Sequence, residues 1–224
     1  MNIEQIKSGL IVSCQSPVDS PLHDPTIIAA MAKASVNQGA VGIRVDTPSH
    51  VQAVRKQLPD IPIIGLWKRQ YPESKVYITP LFEHAVSIAQ ADADIIAIDG
   101  TSRNRPNGET LSNLIEQIKT KLGKLVMADV DTIENAIVSQ NAGADIIGTT
   151  LYGYTQETKH LTPPGYELLT EMVKQLSVPI ICEGGIATPD EAKKALDLGA
   201  YSVVVGTAIT GIDLKVKSFY NALQ

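Results

Sequence analysis

The chain has 224 residues, of which 44% are hydrophobic and 19% are charged, and its formal net charge is −5. This composition supports a packed core, and it excludes both a disordered polymer and a general nucleic-acid binder, which would need a basic face. Short apolar runs, two cysteines and an N-terminus without a secretory signal pattern predict a cytoplasmic protein with no membrane span and no disulfide framework.

Eight short hydrophobic segments recur along the chain. They cover residues 8–15, 38–45, 61–68, 93–99, 124–130, 143–150, 178–185 and 199–207. Continuous Ile and Val runs are typical of strands that are covered on both faces, as in parallel sheets. Helical patterns lie between them: residues 109–122 place Leu111, Leu114 and Ile118 on one face. A further helix start is indicated by the capping residues Thr188 and Glu191.

Eight strands that alternate with helices predict an α/β fold, the (β/α)8 TIM barrel, in a single domain of residues 1–224. A doubly wound open sheet is the competing architecture, but it usually has five or six strands and a glycine fingerprint after the first. Here the first predicted strand ends in Ser13-Cys14-Gln15 without that fingerprint. The pattern therefore favours the barrel.

Polar residues follow the predicted strands, and in a barrel the carboxyl ends of the strands meet at one mouth, where active sites lie. These residues are Gln15, Arg44, Lys68, Asp99, Asp129, Thr149 or Thr150, Glu183 and Gly206-Thr207. Any one of them could simply reach solvent at a strand end. Together they favour a site, because charges gathered in a partly dry space are costly unless they pair or meet a charged ligand.

Lys68 and Glu183 are the candidate catalytic residues. A desolvated lysine can serve as a base or as a Schiff-base amine, although a surface lysine paired with a carboxylate is the simpler alternative. A lysine and a glutamate at one mouth could hold a single proton between them, as reversible deprotonation of carbon requires.

Glycines follow the last two predicted strands, as Gly184-Gly185 and as Gly206-Thr207. In many barrels these two loops bind phosphate through backbone N–H groups, although either pair alone could form a turn. We expect no metal, because Asp129 and Asp131 have no histidine beside them.

Eight motifs occur in a fixed order along the chain. They are GLIVSCQ at 9–15, GAVGIR at 39–44, Lys68 with YITP ending at Pro80, the D-x-T-x-R-x-R-P pattern at 99–106, MAD at 127–129, GTTLYGYT at 148–155, EGGIATPDEA at 183–192 and VVVGTAIT at 203–210. Through them the chain closely resembles the bacterial N-acetylmannosamine-6-phosphate 2-epimerases nearly end to end. One position departs from the family, since Gly211 stands where an arginine is common.

The resemblance implies a TIM barrel that interconverts N-acetylmannosamine 6-phosphate and N-acetylglucosamine 6-phosphate in amino-sugar or sialic acid breakdown, without a metal or organic cofactor. It assigns catalysis to Lys68 and Glu183, and a homodimer is a further expectation. The other sites it implies are substrate contacts at Gln15, Arg44, Asp99, Asp129 and Tyr154, and phosphate loops at Gly184, Gly185, Gly206 and Thr207.

Two alternatives to the epimerase stay open at this point. One is another phosphosugar isomerase, or an aldolase that forms a Schiff base on Lys68. The other is a barrel subunit that binds a sugar phosphate without catalysis. Fold alone does not choose among these functions.

Overall fold

The computed structural model describes residues 2–224, and its centre is a closed barrel of eight parallel strands in the order β1 to β8. The strands are β1 Leu10–Cys14, β2 Gly42–Asp46, β3 Ile63–Leu66, β4 Ile95–Asp99, β5 Leu125–Asp129, β6 Ile146–Gly148, β7 Ile180–Glu183 and β8 Ser202–Val205. Each strand overlaps one of the eight predicted segments, so the predicted TIM barrel is confirmed.

Nine α-helices surround or follow the strands within the described residues. They are α1 Pro25–Asn37, α2 Pro48–Gln57, α3 Phe82–Gln90, α4 Leu111–Gln117, α5 Ile133–Asn141, α6 Tyr166–Gln175, α7 Pro189–Asp197, α8 Thr207–Thr210 and α9 Ile212–Ala222. The predicted capping box at α7 is present, because Glu191 donates its N–H to Thr188 and accepts the N–H of Thr188 in return. Across residues 2–224, no helix combines the length and the apolar content that crossing a membrane requires.

The core has two layers, which follow from the alternation of side chains along each strand. One layer fills the barrel and includes Ile64, Leu66 and Met127. The other lies between the strands and the helices and contains both cysteines, Cys14 and Cys182, as the alternation predicts. Desolvation raises the pKa of the two thiols, to about 12 and about 11 respectively, so both are neutral hydrophobic groups at physiological pH.

Candidate active site

A buried arginine joins two carboxylates across the mouth of the barrel. Arg44 of β2 is 2% exposed, and its Nη1 and Nη2 donate to Oδ1 and Oδ2 of Asp129 on β5, at 3.1 and 2.6 Å. Nη1 also lies 2.9 Å from Oε2 of Glu183 at the end of β7. A buried charge is tolerated only when it is paired and hydrogen-bonded, and here both conditions are met. The ion triad therefore ties together three strand ends.

Two threonines that directly follow a fourth strand, β6, also contact Glu183. The fully buried Thr149 accepts the Glu183 N–H at 3.1 Å and donates to the Glu183 carbonyl at 2.9 Å. The Thr150 hydroxyl donates to Oδ1 of Asp129 at 2.6 Å and lies 3.2 Å from Oε2 of Glu183. The main chain and the carboxyl group of Glu183 are thus both fixed.

Lys68 reaches the mouth from the loop after β3. Its Nζ donates to Oε1 of Gln15 at 2.5 Å, and Nε2 of Gln15 donates to Oγ of Ser13 at 2.8 Å. The Lys68 N–H donates to Oδ1 of Asp46 at 2.9 Å, which anchors the main chain. Of the two alternatives for Lys68, the structure matches the surface lysine: the side chain is exposed because β3 ends two residues earlier, at Leu66, and leaves Lys68 at the rim.

The electrostatics of the mouth centre on Glu183. Burial raises its pKa to about 7, against the opposing charge of Arg44, and the carboxylate of Asp129 raises it further. The ammonium group of Lys68 is near enough to lower this pKa. Glu183 can therefore exchange a proton near neutral pH, within the field of a lysine.

Asp99 and Tyr154 are less directly connected to this network. The buried Asp99 accepts the N–H and the hydroxyl of Thr101 at 2.9 and 2.6 Å, and its other oxygen accepts from Arg103 at 2.6 Å. Its carboxylate therefore bonds to the loop after its own strand. Tyr154 is 56% exposed. Partial burial of its side chain and the negative charge of Glu183 together raise the pKa of its hydroxyl group. Its position beside Glu183 keeps it at the rim of the mouth.

The four predicted phosphate-loop residues differ in their packing. Gly184 and Gly185 have φ values of +104° and +72°, which favour glycine. A Cβ at Gly185 would also come within 2.4 Å of Pro163, so packing alone demands glycine there. A Cβ at Gly206 would meet Ser13 at an ordinary 3.4 Å, so crowding does not require glycine at that position. Thr207 begins α8 and is exposed.

Metal-binding geometry is not evident at the mouth. Among residues 2–224, no three or more His, Cys, Asp or Glu side chains are grouped as ligands for a metal ion. The carboxylates of Asp129 and Glu183 are instead both paired with Arg44.

Comparisons with known proteins identify the family of this chain. The family model described as "Putative N-acetylmannosamine-6-phosphate epimerase" matches residues 28–224. The chain belongs to this family. Relatives with the corresponding 2-epimerase description come from Synechococcus elongatus, at 58% identity over 99% of this chain and 96% of the relative, and from Thermosynechococcus vestitus, at 60% identity over 98% and 95%.

A solved structure, the N-acetylmannosamine-6-phosphate 2-epimerase from Clostridium perfringens, has the same fold. It matches with a TM-score of 0.93 and 42% identity, over 98% of this chain and 95% of that chain. The family membership and the closed barrel thus agree with what the sequence motifs predicted.

Gly211, the departure from the epimerase family pattern, has a structural explanation. It lies between α8 and α9, and a Cβ at this position would come within 2.7 to 2.8 Å of Thr207 atoms, including backbone. An arginine at 211 is therefore incompatible with this turn. The tight turn that ends α8 and leads into α9 depends on glycine.

Three residues of the mouth have no role assigned from the sequence alone. Ser13 belongs to the end of the first predicted strand, and the strand-end pattern names Thr149 or Thr150 without choosing between them. The structure uses both threonines, one on the main chain of Glu183 and the other on its carboxyl group. The only available signal was their position at the end of the sixth predicted strand.

Proposed function

We propose that residues 1–224 act as one domain that catalyses the 2-epimerisation of N-acetylmannosamine 6-phosphate to N-acetylglucosamine 6-phosphate, the reaction of an N-acylglucosamine-6-phosphate 2-epimerase in amino-sugar or sialic acid breakdown. One observation supports this most directly. Lys68 and Glu183 lie at the same mouth, where the charge of Lys68 acts on Glu183, and the pKa of Glu183 is about 7. The names of the relatives supply the substrate.

Epimerisation at C2 requires that this carbon lose and regain a proton. In the open-chain sugar, C2 is adjacent to the C1 aldehyde, so breaking the C2–H bond moves its electron pair onto the C1 oxygen as an enolate. Lys68 takes the proton as the base, and protonated Glu183 returns one to the opposite face as the acid; the reverse reaction exchanges the roles. No redox partner is needed, since the two C2 epimers have the same oxidation state. Each forward turnover leaves the proton on Lys68 instead of Glu183, and exchange with water returns the pair to its starting state.

The neighbouring polar groups hold the sugar while the proton moves. Gln15, which binds Lys68 Nζ, and the Arg44–Asp129 pair orient the sugar and its acetamido group in this proposal. Asp99 and Tyr154 contribute further substrate contacts. Correct placement of reacting groups can remove about 7–11 kcal/mol from a barrier, so rigid pairing at the mouth has a large effect.

The 6-phosphate binds at the loops after β7 and β8 in this proposal. The backbone N–H groups come from Gly184, Gly185, Gly206 and Thr207. At the three glycines the absence of a Cβ lets the phosphate approach the backbone closely. The uncrowded surroundings of Gly206 support this assignment, because packing inside the chain gives no other reason for glycine there.

The direct test is proton NMR of the purified protein with N-acetylmannosamine 6-phosphate. We expect anomeric signals of N-acetylglucosamine 6-phosphate to appear, and in deuterium oxide we expect deuterium at C2. A stable Lys68 adduct after borohydride treatment with substrate would indicate the aldolase instead. Calorimetric binding without turnover would indicate a non-catalytic barrel, and either result would contradict the epimerase.

We also propose that the protein is a cytoplasmic homodimer that uses α9. No residue of α9 is buried, and Phe219 is 74% exposed. One face of α9, together with α8 and the residues that flank α9, lines a concave surface. Its lining residues are Ala208, Ile209, Gly211, Ile212, Lys215, Val216, Phe219, Tyr220 and Leu223, all of them apolar or glycine except Lys215 and the amphipathic Tyr220. An isolated helix of 11 residues is marginal in water, and a large exposed apolar patch marks an interaction site. A second copy of the chain, which offers the same apolar helix, is the partner that fits.

Light scattering after size exclusion tests this assembly. The wild type should have twice the mass of the 24.0 kDa chain. Phe219→Glu should shift it to the monomer, because a charge in an apolar contact loses its hydration. Lys217→Glu, a charge change at a position of α9 outside the concave surface, is the control and should remain dimeric. A wild type that is monomeric at all concentrations would contradict the proposal.

A further inference from the structure

We propose that Thr150 is a positioning residue that keeps a proton on Glu183 by accepting a hydrogen bond from the protonated carboxyl group. This inference rests on the epimerase function proposed above, in which Glu183 must deliver a proton to carbon. Thr150 touches no reacting atom in this scheme and acts only through Glu183.

The geometry decides which way the Thr150 hydroxyl points. A threonine hydroxyl has one proton to donate, and two carboxylates compete for it. The contact with Oδ1 of Asp129 is 2.6 Å, whereas the contact with Oε2 of Glu183 is 3.2 Å. Because short O–H···O⁻ bonds are the strong ones, the proton lies toward Asp129. A lone pair of the Thr150 oxygen then faces Glu183.

This orientation treats the two charge states of Glu183 unequally. When Glu183 is ionised, a lone pair of its Oε2 faces a lone pair of the Thr150 oxygen at 3.2 Å, which is unfavourable. When Glu183 is protonated, it can donate a hydrogen bond to the Thr150 oxygen. The opposite orientation, with Thr150 donating to Glu183, would lower the pKa of that carboxyl. The shorter bond to Asp129 argues against it.

Charged and titratable groups from the other elements also face Glu183. They are Arg44 from β2, Asp129 from β5, Lys68 from the loop after β3 and Tyr154 from the loop after β6. Arg44 and Lys68 favour the ionised carboxylate, and Asp129 favours the protonated form. Both oxygens of Asp129 already accept from Arg44, and Oδ1 also accepts from Thr150. Thr150 thus offers Glu183 a neutral acceptor beside the ion triad.

Thr150→Val removes the acceptor with little change in shape, and Thr150→Ser retains the hydroxyl. The titration of Glu183 is followed by infrared spectroscopy of its protonated carboxyl band, identified as the band that Glu183→Gln abolishes. Loss of one neutral hydrogen bond should move the midpoint down by about half to one pH unit in Thr150→Val. Thr150→Ser should titrate as the wild type does. The acid limb of kcat/KM should move by the same amount.

The infrared readout separates this inference from the proposed function. If the wild type does not epimerise the sugar, the function fails, but the shift of the Glu183 midpoint is still measurable. An unchanged or raised midpoint in folded Thr150→Val would overturn the role of Thr150 even in an active enzyme. Should Thr150→Val not fold, Thr150→Ala removes the same acceptor without adding a methyl group near Asp129. Thr120→Val, an exposed site on the π-helical turn after α4, is the control and should leave the midpoint unchanged.

Discussion

Lys68→Met should lower kcat for epimerisation by about 10²–10⁴-fold, the usual contribution of a positioned acid–base group. Methionine keeps the length and the apolar stem of the side chain but cannot carry a proton. The substitution also removes the hydrogen bond from Lys68 Nζ to Oε1 of Gln15. Because this bond is exposed, a water molecule can replace the ammonium group as the donor. Turnover is measured by proton NMR, and exchange of the C2 proton with deuterium oxide is followed in the same samples.

The fold is expected to survive this change, because Lys68 lies at the rim and outside the core. Lys75→Met, in the same loop and also exposed, is the matched control and should retain activity. Near-normal turnover in Lys68→Met would remove Lys68 from the mechanism. Loss of turnover with rapid C2 exchange would instead assign Lys68 to only one of the two proton transfers.

Glu183→Gln should also lower kcat by about 10²–10⁴-fold, and it should abolish the acid limb of the pH profile. In the proposed mechanism, the active pair of Lys68 and Glu183 holds one proton, and a second proton inactivates it. Burial raises the pKa of Glu183 to about 7, so kcat/KM should fall as the pH drops below about 7. The apparent value belongs to the pair, since the two groups interact. Wild-type kcat in Glu183→Gln would exclude the second acid–base group.

The same substitution changes how stability depends on pH. The carboxyl of Glu183 has an ordinary pKa of 4.5 when unfolded and about 7 when folded, so the folded protein binds this proton more tightly. Its contribution to the free energy of unfolding is fully present below pH 4.5 and is lost as the pH rises through about 7. Thermal unfolding is measured for wild type and Glu183→Gln across pH 4–8. The slope of Tm against pH should differ most between the two proteins from pH 4.5 to about pH 7. Parallel curves would contradict the raised pKa.

The fold was predictable because its signals are local. Each strand is a short and mainly apolar segment that can be recognised without its surroundings, as in Ile95–Asp99, and the capping box of α7 lies within four residues. Most candidate site residues were predictable for the same reason, since a barrel brings its strand ends together. The sequence order and the polar residue at the strand end were sufficient to nominate Arg44, Asp129 and Glu183.

Other features depend on the surroundings, which the local sequence does not describe. The sequence leaves open whether Lys68 is desolvated or at the surface, and in the structure it is exposed because β3 ends at Leu66. Gly185 was expected to serve a ligand, yet the approach of Pro163 already demands glycine there. The exposed apolar face of α9 was not foreseen either, since its pattern does not reveal what it packs against.

The sequence by itself determined the class of the fold, the family and the list of polar residues at the mouth. Only the tertiary structure decided how they pair: Arg44 and Asp129 are 85 positions apart, and their bond exists because the barrel closes. The raised pKa of Glu183 also depends on the tertiary structure. It is set by burial and by charges from three other strands or loops, which the closed barrel brings close to Glu183.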